Sequence, residues 1–333
     1  MKLLVLCDYR ENYKNYSNLE NNIIYNDHPN KENLSEIILA TKSLGYECEY
    51  FGGIPELIHA VDSKMKFDEC AFLNFTDGMD EAYSRVQAPV LLDILEVPYS
   101  GSDVFPSVLM NNKHVCKQAL KDIGILMPNS CIVNKILSIN KKELKKWKFP
   151  LFIKPNCEGS SLGISKDSIC YTINEVENRC NKLLESFEEI IIEEYVLGID
   201  VTNYLIGNEN NYLINDVITA KLFDTSPYAV YGLSEKQKKL RTLFFNEEYL
   251  PNNIVKLIQE NSIKIAQTIG ARDICRIDYK VNLTNNEIFF IEINSAPRFS
   301  STSEVGFIAQ KRNISFTKMV EYYINTFLNR ISL

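Results

Sequence analysis

The residue types that could hold a metal ion concentrate in two strand-like segments, RDICRIDYKV and IFFIEIN, which the turn signal NLTNN joins into a predicted hairpin. With the turn centred on that signal, Asp278 faces Glu292 and, on the same side of the hairpin, Arg276 faces Asn294. Opposed carboxylates destabilise a sheet unless a cation neutralises them, and carboxylate and amide oxygens suit Mg²⁺. The hairpin therefore predicts a Mg²⁺ site, with Arg276 beside it to stabilise charge on a transferring group. The alternative is a solvated hairpin face with an Arg–Asn pair.

A second stretch, FPLFIKPNCEGSSLGISK, has the composition of a loop that covers phosphates. Its apolar strand delivers Lys154, and the loop that follows carries Gly159, Ser160, Ser161 and Gly163. Accessible backbone N–H groups and hydroxyls suit an anion, and the lysine adds a point charge. No helix begins after the glycines, so the stretch is neither a Walker A loop nor a dinucleotide fingerprint. Taken alone, it is also typical of an ordinary hairpin turn.

A third stretch, EEIIIEEYVLGIDVTNYLIG, ends a short apolar strand in carboxylates. The strand runs through Ile192 into Glu193 and Glu194, and Gly198 and Asp200 follow. Such a strand end could border the adenine and ribose of a nucleotide. Taken alone, however, the segment favours a plain polar strand end.

The first third of the chain alternates predicted strands and helices, which indicates a parallel, doubly wound sheet. The predicted strands are 2–7, 47–51 and 70–75, and the predicted helices are 34–44, 56–65 and a third that runs through Leu95. Ligands bind outside the carboxyl ends of the strands in such sheets, where the segments FTDG and PYSGS lie. A mostly helical bridge is predicted between about residues 105 and 150.

Composition excludes several classes of protein. The 333 residues carry a formal charge of -7 with a pI near 5.3, which argues against a nucleic-acid partner held by phosphate attraction. The opening MKLLVLCDYREN has too short an apolar run for a signal peptide, and no stretch approaches a membrane span. Nine cysteines without a CxxC pair predict reduced thiols in a cytoplasmic protein, and three unclustered histidines make a zinc site a poor fit.

In their order along the chain, these motifs resemble the ATP-grasp fold and, within it, the D-alanine–D-alanine ligase family. The resemblance rests on Lys113, Lys154, EGSSLGISK, Glu193, the hairpin residues, the loop SAPRFSSTS and the stretch PYSGSDVFPSVLMNNKHVCKQALKDIGI. It implies an α/β, ATP-grasp fold in three parts. These are an N-terminal doubly wound parallel-sheet domain (1–105), a helical bridge with a small α+β central lid domain (106–190), and a C-terminal α+β catalytic domain (191–333).

The resemblance also implies roles for individual residues. ATP would be bound by Lys113, Lys154, Glu158, Gly159, Ser160, Ser161, Glu193, Glu194, Val196 and Asp200. Within that set, Glu193 and Val196 would border the adenine, and Asp200 the ribose. Mg²⁺, or Mn²⁺ as an alternative ion, would be held by Asp278, Glu292 and Asn294. The catalytic residues would be Arg276, Ser160 and Tyr231, and the substrate contacts Arg298, Ser303 and Glu304.

Both substrate pockets depart from the family pattern. The family's glycine-pair motif with its glutamate is replaced by CDYRENYKNY, and the His-Gly element after the third strand by NFTDG. Val230 replaces a substrate-loop lysine, Arg298 replaces a glycine, and Glu304 replaces an apolar residue. We expect Arg298 to recognise a carboxylate through its bidentate fork, and Glu304 to repel a carboxylate or attract a cation. The alternative is that these two side chains pair with each other.

The sequence thus predicts a non-standard relative of that family, an ATP-dependent carboxylate–amine ligase that works through an acyl phosphate and releases ADP and phosphate. Its partners would be a small-molecule carboxylate and an amine, expected to be amino acids or dipeptides, with neither nucleic acid nor membrane involved. The resemblance implies a homodimer. Two alternatives stay open, a true D-alanine–D-alanine ligase and an ATP-binding regulatory module without catalysis.

Overall fold

The computed structural model arranges the chain in three sheets with helices around them. It describes residues 1–9, 29–79, 83–135, 137–159, 161–224, 226, 228–230, 232, 235, 238, 240–245 and 249–332. The predicted catalytic residues Ser160 and Tyr231 lie outside the described residues, as does most of the CDYRENYKNY segment. No helix within the described ranges is long and apolar enough to cross a membrane.

The N-terminal sheet is parallel, and its central strand is an apolar run buried on both faces. β1 (Lys2–Leu6) pairs in parallel with β2 (Cys48–Gly52) and β3 (Cys70–Asn74), one on each side. Helix α1 (Lys31–Ser43) packs on one face, and α2 (Ile54–Asp62) and α3 (Gln87–Ile94) pack on the other. Burial on both faces is what a parallel sheet requires of its strands. The predicted doubly wound arrangement is confirmed.

The central part is a small antiparallel sheet reached through two short helices. The helices are α4 (Val104–Asn111) and α5 (Lys113–Ala119). The strands are β4 (Ser130–Asn134), β5 (Leu151–Pro155), β6 (Ile169–Cys170) and β7 (Glu189–Glu194), in the order β4-β7-β5-β6. Helices α6 (Lys141–Leu144) and α7 (Ile173–Leu184) complete this part, whose core includes Ile153, Val176 and Ile192. The predicted boundary between residues 190 and 191 falls inside β7, which remains in this sheet through Glu194.

The C-terminal part is a five-stranded antiparallel sheet with helices on both faces. Its strands are β8 (Ile199–Asn208), β9 (Asn211–Leu222), β10 (Arg241–Phe245), β11 (Ile274–Asn282) and β12 (Glu287–Asn294), in the order β10-β9-β8-β11-β12. Its helices are α8 (Asn252–Ile269), α9 (Glu304–Lys311) and α10 (Phe316–Ile331). Alternate residues of β11 are buried against α8, so the intervening ones face the opposite side, where the site lies.

Asp273, just before β11, joins the N-terminal part to the C-terminal part. Its carboxylate is fully buried and accepts hydrogen bonds from the backbone N–H of Gly101 at 2.8 Å and from Arg330 Nε and Nη2 at 2.9 and 2.7 Å. Asn208 Nδ2 donates to it at 2.9 Å. One hydrophobic cluster, which includes Val5 and Tyr323, spans the same two parts. The polar and apolar contacts together fix the N-terminal sheet against the C-terminal sheet.

Candidate active site

The hairpin of β11 and β12 brings the four predicted residues to one face. Asp278 lies opposite Glu292, and Arg276 lies opposite Asn294, so the predicted register is confirmed. Arg276 donates to Asp278 twice, from Nε to Oδ1 at 3.1 Å and from Nη2 to Oδ2 at 2.8 Å. Asn294 Nδ2 donates to the same Oδ2 at 3.2 Å, and Thr202 on β8 donates to Oδ1 at 2.8 Å. Groups from three neighbouring strands therefore orient the Asp278 carboxylate.

The oxygen atoms of this face suit a hard divalent cation. Asp278 and Glu292 offer carboxylates on neighbouring strands, and Asn294, whose Nδ2 is engaged by Asp278, offers its carbonyl oxygen. Nowhere in the described part of the chain do three or more His, Cys, Asp or Glu side chains form a metal cluster. Two carboxylates and one amide instead fit an ion that completes its shell with phosphate oxygens and water, as Mg²⁺ commonly does.

Three buried lysines converge on the hairpin from α5 and β5. Lys154 Nζ lies 3.0 Å from Glu193 Oε2 and 3.9 Å from Glu292 Oε2. Lys113 Nζ lies 3.8 Å from the same Glu292 oxygen, and Lys117 pairs with Oε1 of Glu193. The Glu292 side chain is 23% exposed, whereas Glu193 is 4% exposed. Glu292 is therefore the more accessible of these two carboxylates, and Glu193 is the one that pairs most closely with the lysines.

These three residues, Lys113, Lys117 and Lys154, are called the lysine cluster, and burial shifts the pKa of two of them. Burial lowers the pKa of Lys154 to about 8 and lowers the pKa of Lys117 well below its usual value. Burial alone would raise the pKa of Glu292, but the charges of Lys113 and Lys154 lower it to about 2. An anion that binds beside Lys117 and Lys154 would raise their pKa values. A bound phosphate would therefore stabilise the charged form of these lysines.

The side chains at the end of β7 and just after it have different partners. Glu193 pairs with Lys117 and Lys154 of the lysine cluster. This end of the strand is therefore not the plain polar strand end that the segment alone favours. Glu194 accepts hydrogen bonds at the exposed end of the strand and also borders the cavity. Val196 and Asp200 line the same cavity, and Asp200 Oδ1 lies 2.8 Å from Lys280 Nζ. Glu194, Val196 and Asp200 are thus parts of this segment that a ligand in the cavity could contact.

The loop after β5 is anchored to α5 and is not a tight turn. The Lys113 backbone N–H donates to the carbonyl oxygen of Asn156 at 3.3 Å, and its Nζ donates to the carbonyl oxygen of Glu158. Gly163 has φ +69°, and a Cβ there would lie 2.7 Å from Pro155 Cγ, so this bend requires glycine. The next strand begins only at the end of a longer connection, which rules out the ordinary hairpin turn.

Glu304 is buried at the start of α9 and pairs with Arg241 on the edge strand β10. Burial alone would raise the pKa of Glu304, but the charges of Arg276 and Arg241 lower it to about 2. Glu304 is therefore ionised at neutral pH. Glu304 was predicted to attract a cation, and in this structure the cation is the side chain of Arg241.

Arg298 and Ser303 occupy the turn before α9. Arg298 Nη2 donates to Asn33 Oδ1 on α1 at 3.2 Å. The alternative in which Arg298 pairs with Glu304 is therefore wrong. Ser303 Oγ donates to the carbonyl oxygens of Arg298 at 3.0 Å and Ser300 at 2.8 Å, which closes the turn.

A cavity of about 610 Å³ connects these groups, a volume typical of ligand pockets. The predicted site residues that line it are Lys154, Ser161, Glu193, Glu194, Val196, Asp200, Arg276, Asp278, Glu292, Asn294, Arg298, Ser303 and Glu304. Lys113, Glu158 and Gly159 are not among its walls; Lys113 reaches it only through Glu292. The N-terminal sheet contributes the segment from Asn74 to Asp77 and Arg85.

Sequence reasoning missed Lys117 and Arg241. Lys117 follows Lys113 by four residues, a spacing that places both on one face of α5, so the pair could have been found. Arg241 begins a short strand with no chemical motif around it. Only the fold shows that it meets Glu304.

Residues 121–325, more than half of the chain, match the family described as "D-ala D-ala ligase C-terminus". A D-alanine–D-alanine ligase from Carboxydothermus hydrogenoformans is 28% identical over 243 residues, which cover 69% of this chain and 73% of the relative. A D-alanine–D-alanine ligase from Thermotoga petrophila is 25% identical over 287 residues, which cover 86% and 88%. The similarity thus extends beyond the C-terminal part.

Solved structures show the same fold. A D-alanine–D-alanine ligase from Bacillus anthracis complexed with ATP superposes with a TM-score of 0.74 at 20% identity, over 99% of this chain and 98% of that one. VanG D-Ala:D-Ser ligase from Enterococcus faecalis superposes with a TM-score of 0.69 at 19% identity, over 98% and 99%.

The three-part architecture, with the lysine cluster and the hairpin around one cavity, is that of an ATP-grasp enzyme. The protein belongs to the D-alanine–D-alanine ligase family. It is accordingly an ATP-dependent ligase that forms carbon–nitrogen bonds between small molecules. The predicted fold class, family and enzyme class are confirmed.

Proposed function

We propose that the protein joins an amino acid, or a carboxylate resembling one, to an amine through an acyl-phosphate intermediate. ATP transfers its terminal phosphoryl group to the substrate carboxylate, and the amine then displaces phosphate to form an amide. The observation that carries this proposal is that Lys154, Glu292 and Asp278 line one cavity. Lys113 lies behind Glu292, with its Nζ 3.8 Å from the carboxylate. Charge stabilisation and positioning are the contributions such a reaction needs from a protein.

In this proposal the charged residues in and around the cavity have separate roles. Lys154 and Lys113 attract the phosphates, and Glu193 holds Lys154 in position. Asp278, Glu292 and Asn294 would hold Mg²⁺, which would offset the negative charge of the phosphates. Arg276 lines the cavity, donates from its guanidinium to Asp278, and interacts with the charge of Glu304. It stabilises the charge that develops on the transferred group.

The second substrate differs from D-alanine in this proposal. Glu304, paired with Arg241, stands at the start of α9 where an apolar residue is expected, and the side chain of Val230 has no charge with which to bind a carboxylate. Arg298 remains as a guanidinium on the cavity wall. These groups favour an acceptor that carries a carboxylate and a second polar group. A homodimer and a cytoplasmic location, both implied by the family, belong to this proposal as well.

A pairwise screen of amino acids and dipeptides tests the proposed function. ADP release and product mass are measured for each pair with Mg²⁺ present. Amide formation with partners other than D-alanine supports the proposal. D-Alanine used more efficiently than every other amino acid would establish a true D-alanine–D-alanine ligase, the function of the relatives named above.

Replacing Glu304 with leucine is expected to shift the preference for the amine substrate toward acidic compounds. The change removes a negative charge that pairs with Arg241 and interacts with the charge of Arg276, and the more positive site attracts a second carboxylate. The measurement is kcat/KM for amines that differ only in an added carboxylate. An E304L R241M double variant is the control and is expected to lose this gain. A single variant that instead favours small apolar amines would contradict the charge argument.

Nucleotide affinity is expected to fall as pH rises through about 8. Lys154 is cationic below that pKa and neutral above it, so about a tenth of the molecules keep the charge at pH 9 and the dissociation constant rises about tenfold. Calorimetric titration with a non-hydrolysable ATP analogue between pH 7 and 9.5 measures the effect. Lys154→Arg stays charged over this range and should give a flat profile. The same slope in both proteins would remove Lys154 from phosphate binding.

A further inference from the structure

Asn156 is a fully buried residue directly after β5, and the proposed mechanism gives it no role. Its Nδ2 donates to Asn112 Oδ1, just before α5, at 2.9 Å and to a carboxylate oxygen of Glu189, the first residue of β7. Its Oδ1 accepts a hydrogen bond from the backbone N–H of His114 at 3.0 Å. One side chain therefore joins the end of β5 to β7 and to the start of α5.

The backbone of Asn156 is bonded to the same two elements. Its N–H donates to the carbonyl oxygen of Glu189 at 2.9 Å, which extends the pairing of β5 with β7 by one residue. Its carbonyl oxygen accepts from the backbone N–H of Lys113 at 3.3 Å and from Lys113 Nζ at 3.4 Å. Because a buried polar group is costly to leave without a partner, these bonds hold the residue in one position.

The contacts of Asn156 fix the first turn of α5. The backbone N–H groups of Lys113, His114 and Val115 are the first of the helix and have no acceptor within it. Asn156 accepts from the first two. Asn112, which is itself bonded to Asn156, accepts from Val115 at 3.0 Å. The turn that carries Lys113 is thus attached to the end of β5.

The side chain of Lys113 extends from this turn to the site. Its ammonium donates to the carbonyl oxygen of Glu158 in the loop after β5, which is the phosphate loop, and lies 3.8 Å from Glu292 Oε2. A lysine is a point charge on a flexible stem of four carbons, so the place of its ammonium depends on how its backbone is held. Asn156 holds that backbone and also contacts the ammonium through its own carbonyl oxygen.

We propose that Asn156 is a positioning residue for Lys113 and thereby sets the affinity of the site for the phosphates of the nucleotide. Asn156 is not among the residues that line the cavity, so it acts through Lys113 and not by touching the nucleotide. This role rests on the proposed binding of phosphate by Lys113 and names the residue on which that binding depends. Loss of the Asn156 side chain weakens the binding of ATP and leaves the binding of adenosine, which has no phosphate, nearly unchanged.

A double-mutant cycle between Asn156 and Lys113 tests this role. Calorimetric titration with Mg²⁺ present measures the dissociation constants of a non-hydrolysable ATP analogue and of adenosine. Asn156→Ala is expected to raise the constant for the analogue about tenfold and the constant for adenosine less than about twofold, because hydrogen bonds that hold a charged group contribute about this much. Added to Lys113→Met, the same change should raise the constant for the analogue by less than about threefold, since the ammonium is already absent.

Asn140→Ala is the matched control. Asn140 is another asparagine of the central part whose side chain accepts a hydrogen bond from the first turn of a helix, at 3.2 Å from the backbone nitrogen of Glu143. It is exposed and is not among the residues that line the cavity, so its replacement should leave both constants unchanged. Circular dichroism checks the fold of each variant, and Asn156→Ser takes the place of Asn156→Ala if the alanine variant does not fold.

The outcomes separate this role from a purely structural one. Wild-type affinity for the analogue in Asn156→Ala, or equal losses for the analogue and adenosine, would overturn the assignment. A cycle in which the two substitutions act independently would overturn it as well, while the phosphate binding by Lys113 would stand. Wild-type affinity in Lys113→Met would refute both the positioning role and the proposed phosphate binding on which it rests.

Discussion

Replacing Glu292 with glutamine is expected to lower turnover by about a hundredfold or more while the fold stays intact. The carboxylate of Glu292 lines the cavity beside the lysine cluster, and Glu292 lies opposite Asp278 in the hairpin. The amide keeps the shape but removes a charged ligand from the predicted Mg²⁺ site, and the loss of one such electrostatic group typically costs two to three orders of magnitude. The measurement is ADP formation as a function of Mg²⁺ concentration, together with circular dichroism to check the fold.

Glu287→Gln is the control for this prediction, because Glu287 lies at the other end of β12 and its carboxylate accepts a hydrogen bond from the turn residue Asn285. It should behave as the wild type. If Glu292→Gln keeps the wild-type Mg²⁺ dependence, the metal site has been placed on the wrong residues.

Replacing Asp273 with alanine is expected to lower the free energy of unfolding by about 3–5 kcal/mol, because removal of one partner leaves a buried charge uncompensated. Arg330 loses both of its bonds to the carboxylate, and the backbone N–H of Gly101 loses its acceptor. Urea unfolding followed by intrinsic fluorescence measures the loss.

Two further variants separate this effect from a general loss of charge. Glu143→Ala removes one partner of an exposed pair with Lys146 and should change stability by less than about 1 kcal/mol. Adding Arg330→Met to Asp273→Ala removes the stranded cation and should recover part of the loss. A single Asp273→Ala variant as stable as the wild type would show that Asp273 does not hold the two parts together.

The hairpin residues could be predicted because their geometry is local. Once the turn is located, the two-residue period of a strand fixes that Asp278 faces Glu292, and the structure has that register. The parallel sheet could also be predicted from a local pattern, because strands that alternate with helices along the chain leave few other arrangements. Gly163 was also within reach, because a loop of small residues after an apolar strand is visible in the sequence itself.

The partners of the charged residues could not be predicted, since they come from distant parts of the chain. Glu304 meets Arg241 across the gap between α9 and an edge strand, and Arg298 reaches Asn33 on the first helix. Glu193 was expected at the adenine, but its carboxylate is engaged by two lysines from separate elements. In each case the tertiary fold brings together partners that composition alone does not identify.

Lys113 is bonded to the phosphate loop both through its backbone and through its side chain. In the proposed reaction, an outward movement of this loop that preserves these bonds would carry the Lys113 ammonium away from Glu292. We expect the same movement both to uncover the phosphate site and to remove one of the positive charges that attract the nucleotide, and so to favour the release of ADP.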